Sequence, residues 1–234
     1  MMRPLVIVPT YNERANLRPL LAQLLAVDGL RILIVDDASP DGTGEVADEY
    51  AAANRARIQV LHRQGKRGLG LSYIDGMYVA LRTDATHVCQ MDADLSHNPA
   101  DIPRLLAATD LADFAIGSRY VEGGRIENWP LHRRLLSAFA NRYIRAITRM
   151  TIRDCTSGFR CWRREVLERM PLASIRSDGY AFIVELAFEA VRGGFTGAEV
   201  PITFVERRQG ASKLSGMVII ESAVVPWRLA ARRR

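Results

Sequence analysis

Two aspartates, Asp92 and Asp94, stand one residue apart where a short apolar run ends. Residues 87–91 (HVCQM) predict a buried strand, and a helix that starts near a proline is predicted around residues 98–107. Open α/β sheets bind ligands at the carboxyl ends of their strands, and two carboxylates there are costly unless a cation neutralises them. Their oxygens suit Mg²⁺ or Mn²⁺, which would bridge the phosphates of a nucleotide. The alternative is that Asp94 only caps the next helix or pairs with an arginine.

Polar residues also follow the first two predicted strands, which cover residues 5–8 and 31–35. The first strand is followed by PTYNE, which has no glycine, so the G-x-G-x-x-G phosphate loop of dinucleotide enzymes is absent and a dehydrogenase is excluded. In this loop Tyr11 could stack on a base, and Glu13 either caps the next helix or bonds a ribose or base edge. The second strand ends in DDASPDGT, whose first two carboxylates lie where they could meet a ribose or base edge.

Three later segments are rich in arginine and lysine. Residues 62–70 (HRQGKRGLG) open a helix and form either a neighbour for a pyrophosphate or a solvated turn. Residues 131–150 predict a basic amphipathic helix, which either lies on an anionic membrane surface or packs its apolar face on the core. Residues 206–213 predict a basic loop that could close over phosphates.

Composition limits the class of protein. The chain has 234 residues, of which 48% are hydrophobic and 7% aromatic, as expected for one α/β domain. Its three cysteines lack metal-ligand spacing, which favours buried thiols in a reducing compartment. No signal peptide and no uninterrupted apolar run of membrane-spanning length is recognised. A net charge of +6 favours anionic partners such as phosphate-rich ligands, acidic lipids or nucleic acid.

The order of elements predicts the domain organisation. Strand, loop and helix repeat up to a fifth strand at 114–117, which predicts a largely parallel sheet. Beyond it we expect an extended segment at 155–162, helices at 164–169 and 180–192, and a strand at 195–205 that is interrupted by Pro201. We expect a catalytic domain over residues 1–215 and an amphipathic basic tail over residues 216–234, within the same domain or facing a membrane.

Seven segments together resemble the family-2 inverting glycosyltransferases, and specifically the dolichol- or polyprenol-phosphate mannosyltransferases. In chain order they are IVPTYNE, VDDASPDGT, MDADLSHNP, GSRYVEGG, IENWPLHRRLLS, TSGFR and RRQGASKLSG. The early segments are shared across the superfamily, whereas GSRYVEGG to NWPLHRR and the RRQGASK loop are more specific to the polyprenyl-phosphate branch.

The resemblance implies a GT-A fold, a Rossmann-like α/β fold with a mixed, mostly parallel sheet flanked by helices, and GDP-mannose bound along the strand ends. The residues implied to hold guanosine are Pro9, Tyr11, Glu13, Val35 and Asp37. The residues implied to hold the sugar-phosphate are Asp92, Ala93 and Asp94. The residues implied for a Mg²⁺ or Mn²⁺ ion are Asp92, Asp94 and Ser96, although several relatives have Gln at position 96. Arg119, Arg207 and Lys213 would contact the donor phosphates, and Arg119, Arg133 and Ser137 the acceptor phosphate. The implied catalytic residues are Asp92, Asp94 and Arg207.

The resemblance also implies partners and a location. The donor is GDP-mannose, the acceptor is a dolichyl or polyprenyl phosphate, and no nucleic acid is bound. Some family members carry C-terminal transmembrane helices, whereas this sequence ends in a basic tail. It is therefore expected to be a cytoplasmic, peripheral protein on the cytoplasmic face of an anionic membrane, or held there by a membrane-anchoring partner protein.

The acceptor determines which catalytic groups are needed. A phosphate monoester, whose second pKa is about 6, is largely ionised at pH 7 and can attack without losing a proton to the enzyme. The nearest alternative is transfer of glucose or another hexose to a lipid phosphate or a sugar hydroxyl. A hydroxyl acceptor needs a carboxylate base, for which Asp178 and Glu185 are the candidates.

Two other classes fit less well. A sugar-1-phosphate nucleotidyltransferase should have a glycine-rich, basic loop in place of PTYNE. A nucleic-acid-binding module should have a basic stripe with exposed aromatic residues rather than acidic loops at strand ends.

Overall fold

The computed structural model describes residues 2–65, 68–175, 177–206 and 216–232, with only the backbone for 216–222. In chain order these residues form β1 (Pro4–Thr10), α1 (Arg14–Leu25), β2 (Arg31–Asp36), α2 (Thr43–Ala53), β3 (Ile58–His62), α3 (Leu69–Leu81) and β4 (His87–Gln90). A 3₁₀ turn (Pro99–Asp101), α4 (Ile102–Ala108), β5 (Phe114–Ser118), β6 (Arg125–Glu127), α5 (Leu131–Thr148), β7 (Arg160–Arg163) and α6 (Arg164–Arg169) follow. After a second 3₁₀ turn (Leu172–Ser174) come α7 (Gly179–Arg192), β8 (Gly197–Pro201), β9 (Thr203–Val205) and α8 (Gly216–Ala231).

Seven strands form the central sheet, in the order β3-β2-β1-β4-β7-β5-β8. All neighbours are parallel except β7, which runs antiparallel between β4 and β5. The predicted mixed, mostly parallel sheet flanked by helices is therefore confirmed. The ends of β2, β1 and β4 lie side by side, because Pro9 is the register partner of Val35 and Ile7 that of Gln90.

The core lies on both faces of this sheet because successive side chains of a strand point to opposite sides. In β1, Leu5 and Ile7 join one buried cluster, and Val6 and Val8 join the other. Helix α3 packs so closely on β1 that a Cβ atom at Gly76 would lie 2.7 Å from Cγ2 of Ile7. The aliphatic runs that predicted β1 and β2 therefore form the buried centre of the molecule. All three cysteines are buried, as the sequence predicted.

Several predicted elements differ in extent from the observed ones. Of the extended segment predicted at 155–162, only the end is a strand, β7 (Arg160–Arg163), which continues one residue further. The buried guanidinium of Arg160 donates to the carbonyls of Ser157, Cys155 and Ile183, which holds the preceding residues as a loop. Helix α5 ends at Thr148 rather than at residue 150, because Arg149 has a left-handed φ of 55°.

The predicted strand 195–205 is two strands in different sheets. Residues up to Pro201 pair with β5, and Thr203–Val205 pair with β6 in a small two-stranded sheet. Proline has no N–H to continue a ladder, and the chain leaves the central sheet just after it. This change of sheet places Phe204 and Glu206 beside the start of α5.

Helix α8 packs against α5 and α7. Its Val225 and Leu229 belong to a buried cluster, whereas Val224 and Trp227 are exposed. The carboxylate of Glu185 in α7 accepts from the Arg232 guanidinium at 2.6 Å, just beyond the end of α8. The boundary expected between a catalytic domain (residues 1–215) and a basic tail (residues 216–234) stays a prediction. No helix of the described residues has both the length and the apolar composition needed to span a bilayer.

Candidate functional site

A cavity of about 380 Å³ opens at the end of β4. Its polar wall comes from strand ends, the loops after them and the start of α5: Asp92, Asp94, Ser96, His97, Arg119, Arg133, Ser137, Thr156 and Ser157. Its apolar wall comes mainly from α5, α7, α8 and β9: Leu136, Phe139, Ala140, Tyr143, Ile144, Tyr180, Ala181, Val184, Phe204, Ala223, Val225 and Pro226. The structure therefore joins the predicted metal-binding and acceptor-phosphate residues in one space that continues into an apolar channel.

The two aspartates of the site are oriented by hydroxyl groups from different elements. The Tyr73 hydroxyl of α3 donates to Oδ1 of Asp92 at 2.9 Å. Ser96 donates to Oδ1 of Asp94 through its hydroxyl at 2.5 Å and its N–H at 3.1 Å. Burial, and then the negative charge of Asp92, raise the pKa of Tyr73 well above its usual value, so its proton stays on the hydroxyl. Asn98 caps the following helical turn, which makes the alternative role of Asp94 as its cap wrong.

The acid pair fits a divalent ion that is shared with a ligand. Among the described residues, no group of three or more His, Cys, Asp or Glu could hold a metal alone. Mg²⁺ is usually held by one or two carboxylates together with substrate phosphates, which matches two adjacent aspartates. Gly158 leaves room beside them, because a Cβ atom there would lie 3.3 Å from Oδ2 of Asp92. Ser96 contacts Asp94, and its direct ligation of a metal stays a prediction.

Arg119 is fixed by a buried ion pair with Asp154. Its Nε and Nη2 donate to the two carboxylate oxygens at 2.8 and 2.7 Å, and its backbone N–H donates to Oδ2 at 2.9 Å. Nη2 also donates to the Thr156 hydroxyl at 2.8 Å. Burial alone would lower the pKa of Arg119, but the charge and the hydrogen bonds of Asp154 together outweigh it, and the net pKa is raised. Arg119 is therefore a permanently charged group in the cavity wall.

Arg133 and Ser137 lie one turn apart on α5, so they share a helix face. The Arg133 guanidinium forms an ion pair with Glu206 and lies 4.2 Å from the centre of the Trp129 ring. The Ser137 hydroxyl accepts from the Tyr120 hydroxyl at 2.8 Å. With Arg119, these side chains give the cavity two cations and hydroxyl groups suited to an oxyanion.

The start of α5 does not bury its apolar face. Leu131, Leu135 and Phe139 are 69%, 61% and 65% exposed, whereas Ile144 and Met150 further along are buried. The alternative in which the whole apolar face packs on the core is therefore wrong for the first half of α5. Of these exposed side chains, Phe139 lines the cavity.

The five residues predicted to hold guanosine lie outside this cavity, at the adjoining ends of β1 and β2. The side chains of Pro9 and Val35 are buried, so a ligand would reach their backbone first. Tyr11 is partly exposed in the loop after β1. Glu13 occupies the N-cap position of α1 without a side-chain cap bond, and its carboxylate accepts from Asn16 at 2.7 Å.

Two further predicted ligand residues are placed by the structure. Asp37 is buried, and its carboxylate accepts from Arg63 at 2.5 Å and from the Gly68 N–H at 3.0 Å. The side chain of Ala93 belongs to a core cluster, so only its backbone faces the strand end. Arg207 and Lys213 lie outside the described residues, and their roles stay predictions.

Sequence reasoning missed several side chains that shape the site. Tyr73 and Asp154 lie far in sequence from the residues that they orient. His97, also missed, lies in the cavity wall between the rings of Phe159 and Phe204, at 5.1 and 5.3 Å. Burial lowers the pKa of His97, and its buried Nδ1 has no hydrogen-bond partner among the described residues. Its place within MDADLSHNP is the one signal that could have identified it.

The sequence of the chain is similar to a known family and to named proteins. A family model described as "Glycosyl transferase family 2" matches residues 5–170. The polyprenol monophosphomannose synthase of Mycolicibacterium smegmatis is 48% identical over 98% of this chain and 88% of its own length. The undecaprenyl-phosphate mannosyltransferase of Micrococcus luteus is 45% identical over 99% of this chain and 96% of its own length.

Solved structures with the same fold are more distant in sequence. Glucosyl-3-phosphoglycerate synthase from Mycobacterium tuberculosis, in complex with Mn²⁺, uridine diphosphate and phosphoglyceric acid, superimposes with a TM-score of 0.71 at 18% identity, covering 99% of this chain and 78% of that one. Mannosyltransferase PcManGT from Pyrobaculum calidifontis, in complex with GDP-Man and Mn²⁺, gives 0.60 at 18% identity, covering 99% and 73%. The predicted GT-A fold is confirmed.

The acid pair generates a prediction for metal binding. Asp94→Asn keeps the size of the side chain and removes its charge, so we expect affinity for Mn²⁺ in the presence of GDP to fall at least about tenfold. Titration calorimetry measures this directly. Asp101→Asn is the matched control, since Asp101 pairs with Arg104 outside the cavity and its variant should bind like the parent. Undiminished binding by Asp94→Asn would show that the acid pair does not hold the ion.

Proposed function

The chain belongs to glycosyl transferase family 2, and from this membership we propose that it transfers mannose from GDP-mannose to a dolichyl or polyprenyl phosphate. The products would be GDP and a polyprenyl β-D-mannosyl phosphate, formed with inversion at the anomeric carbon. One observation carries the proposal. A single cavity joins an acid pair at a strand end, two arginines with hydroxyl groups, and an apolar channel that leads to the surface.

The donor side of the cavity is the acid pair. A nucleotide diphosphate would lie against Asp92 and Asp94, because the end of β4 adjoins the ends of β1 and β2, which carry the predicted guanosine residues. A divalent cation bound there, Mg²⁺ or Mn²⁺, would neutralise the negative charge that builds on the departing diphosphate. The hydrogen bonds from Tyr73 and Ser96 hold both carboxylates in place before the donor arrives, so little reorganisation is needed.

The acceptor side combines charge with apolar surface. A lipid phosphate would bind to Arg119, Arg133 and Ser137, which line the cavity beyond the acid pair. Its prenyl chain would follow Leu136, Phe139 and the side chains of α8 to the surface. A sugar hydroxyl acceptor has no need for such a channel, which favours the phosphate acceptor.

The reaction requires no base from the protein, because the acceptor oxygen is already ionised. The two carboxylates considered as bases do not line the cavity. Asp178 accepts from the Gly70 N–H at 2.7 Å, and Glu185 accepts from the Ser177 N–H and from Arg232. Burial would raise the pKa of Glu185, but the hydrogen bonds from Ser177 and Arg232 outweigh it and lower the pKa. Both carboxylates hold neighbouring elements together.

We propose a peripheral location on the cytoplasmic face of a membrane, where the acceptor lipid lies. Leu136 and Phe139 of α5 are exposed and line the cavity, and Leu131 and Leu135 on the same helix are exposed as well. Arginines on the same helix add attraction to anionic headgroups. A membrane-anchoring partner protein would strengthen this attachment.

The proposed function is tested by offering a panel of labelled GDP- and UDP-sugars with a short polyprenyl phosphate and extracting the lipid. We expect label in the lipid fraction from GDP-mannose, with acid-labile, β-linked product. Preferential transfer from another nucleotide sugar would show that GDP-mannose is not the donor. Label found only on a sugar hydroxyl acceptor would refute the lipid-phosphate reaction.

A reaction that needs no base from the protein generates a second prediction. Asp178→Asn keeps an oxygen that accepts from Gly70, so we expect kcat within about tenfold of the parent, whereas loss of a true base costs about 10² to 10⁴. Circular dichroism and GDP binding establish that the variant is folded. A thousandfold loss of kcat in a folded, GDP-binding variant would identify Asp178 as a base and a hydroxyl as the acceptor.

Membrane attachment gives a third prediction. Each basic side chain near an anionic leaflet adds about 1 kcal/mol of attraction, so the protein should sediment with phosphatidylglycerol vesicles and be released by high salt. Leu135→Ser should weaken sedimentation, because it removes an exposed apolar side chain of α5. Leu111→Ser is the control, since Leu111 is 94% exposed in the turn before β5, at the amino end of that strand, whereas the cavity opens at the carboxyl end of β4. Equal sedimentation of both variants, or binding to neutral vesicles alone, would contradict the proposed surface.

A further inference from the structure

Both arginines assigned to the acceptor phosphate already have a carboxylate partner in the structure. Arg119 is paired with Asp154, and Arg133 is paired with Glu206. Two guanidinium groups and two carboxylates carry no net charge together. An incoming phosphate therefore meets a net positive charge only if one of the two carboxylates moves away from its arginine.

The two ion pairs differ in how firmly the carboxylate is held. Asp154 is fully buried and accepts from the side chain and the backbone N–H of Arg119. Its departure would leave a buried charge without a partner, which is strongly unfavourable. The side chain of Glu206 is 32% exposed, and Arg133 is its ion-pair partner in the described part of the chain. The Glu206 carboxylate can therefore turn to water when another anion takes its place on Arg133, whose own side chain is only 14% exposed.

Arg133 would keep its position when Glu206 leaves. Its guanidinium lies 4.2 Å from the centre of the Trp129 ring, which supports the charge by a cation–π interaction. The Trp129 ring in turn packs edge-on against Phe204, with the centroids 5.3 Å apart. The backbone of Glu206 is held separately, because its N–H donates to the Glu127 carbonyl at 3.2 Å. Only the Glu206 carboxylate needs to move.

We propose that Glu206 is the exchangeable counter-ion of Arg133 and that the acceptor phosphate displaces it, while Asp154 stays on Arg119. This inference rests on the proposed function and adds a residue that sets the affinity and charge preference of the acceptor site. A phosphate monoester carries a charge of about −1.5 to −2 at pH 7 and replaces a carboxylate of charge −1. A ligand with a single negative charge would only replace one monoanion by another on Arg133. Competition with Glu206 therefore favours binding of a dianion over binding of a monoanion.

The exchange is tested by direct binding, without donor or turnover. Decyl phosphate is titrated into the parent and into Glu206→Gln by calorimetry. A partly exposed ion pair contributes about 0.2–1 kcal/mol, so removing the competing charge should tighten binding about 1.4- to fivefold. Glu127→Gln is the matched control. It makes the same charge change on the neighbouring strand, where Glu127 is exposed, and should bind like the parent.

A double-mutant cycle identifies the route of the effect. In an Arg133→Gln background, the exchange partner is gone, so adding Glu206→Gln should leave decyl phosphate affinity unchanged. Equal affinity of Glu206→Gln and the parent, or equal tightening with and without Arg133, would overturn the exchange alone. No binding of decyl phosphate by the folded parent would overturn the acceptor site itself, and the exchange with it.

Discussion

The negative charge gathered at the end of β4 constrains the arrangement of the surrounding side chains. Asp92 and Asp94 must be held close together and correctly oriented, although neighbouring carboxylates repel each other. The structure meets this requirement with hydroxyl donors from different elements, Tyr73 of α3 and Ser96 of the loop after β4. Tyr73 is itself held by a stacked contact with Phe182 of α7, whose ring centre is 5.9 Å away. The packing of three elements therefore determines the geometry of two carboxylates.

The positive charges in the cavity wall belong to Arg119 and Arg133, and each is balanced by a different kind of carboxylate partner. The buried partner Asp154 makes Arg119 a permanent part of the wall. The partly exposed partner Glu206 neutralises Arg133 but can be replaced there by another anion. This difference in burial separates a structural ion pair from one that can respond to a ligand, although the residue types in the two pairs are similar.

The apolar side of the cavity depends on how the chain leaves the central sheet. Pro201 ends the pairing with β5, and the following residues join β6, which brings Phe204 and Glu206 to the start of α5. Helix α8 then packs its Val225 and Leu229 into the core and completes the channel. Leu136 and Phe139 of α5, both exposed, line the same cavity. A site for a charged headgroup and a site for a lipid chain thus share one cavity.

The sequence by itself determined the elements whose signals are local. Uninterrupted aliphatic runs predicted β1 and β2, polar residues after them marked the ligand-binding edge, and the motif segments pointed to the family and to the acid pair. It also placed helix α6 at residues 164–169, as observed. These features depend on residues that are adjacent in the chain or spaced by the period of a helix or strand.

Only the tertiary structure decided the contacts between distant residues. The antiparallel insertion of β7, the exposure of the start of α5, and the hydroxyl of Tyr73 on Asp92 have no local signal. Nor could the sequence show that Asp154 lies on Arg119, 35 residues away, or Glu206 on Arg133, 73 residues away. A pattern reports which face of an element is apolar, whereas a pairing of charges depends on which elements meet there. The partners and burial of these charges are therefore set by packing alone.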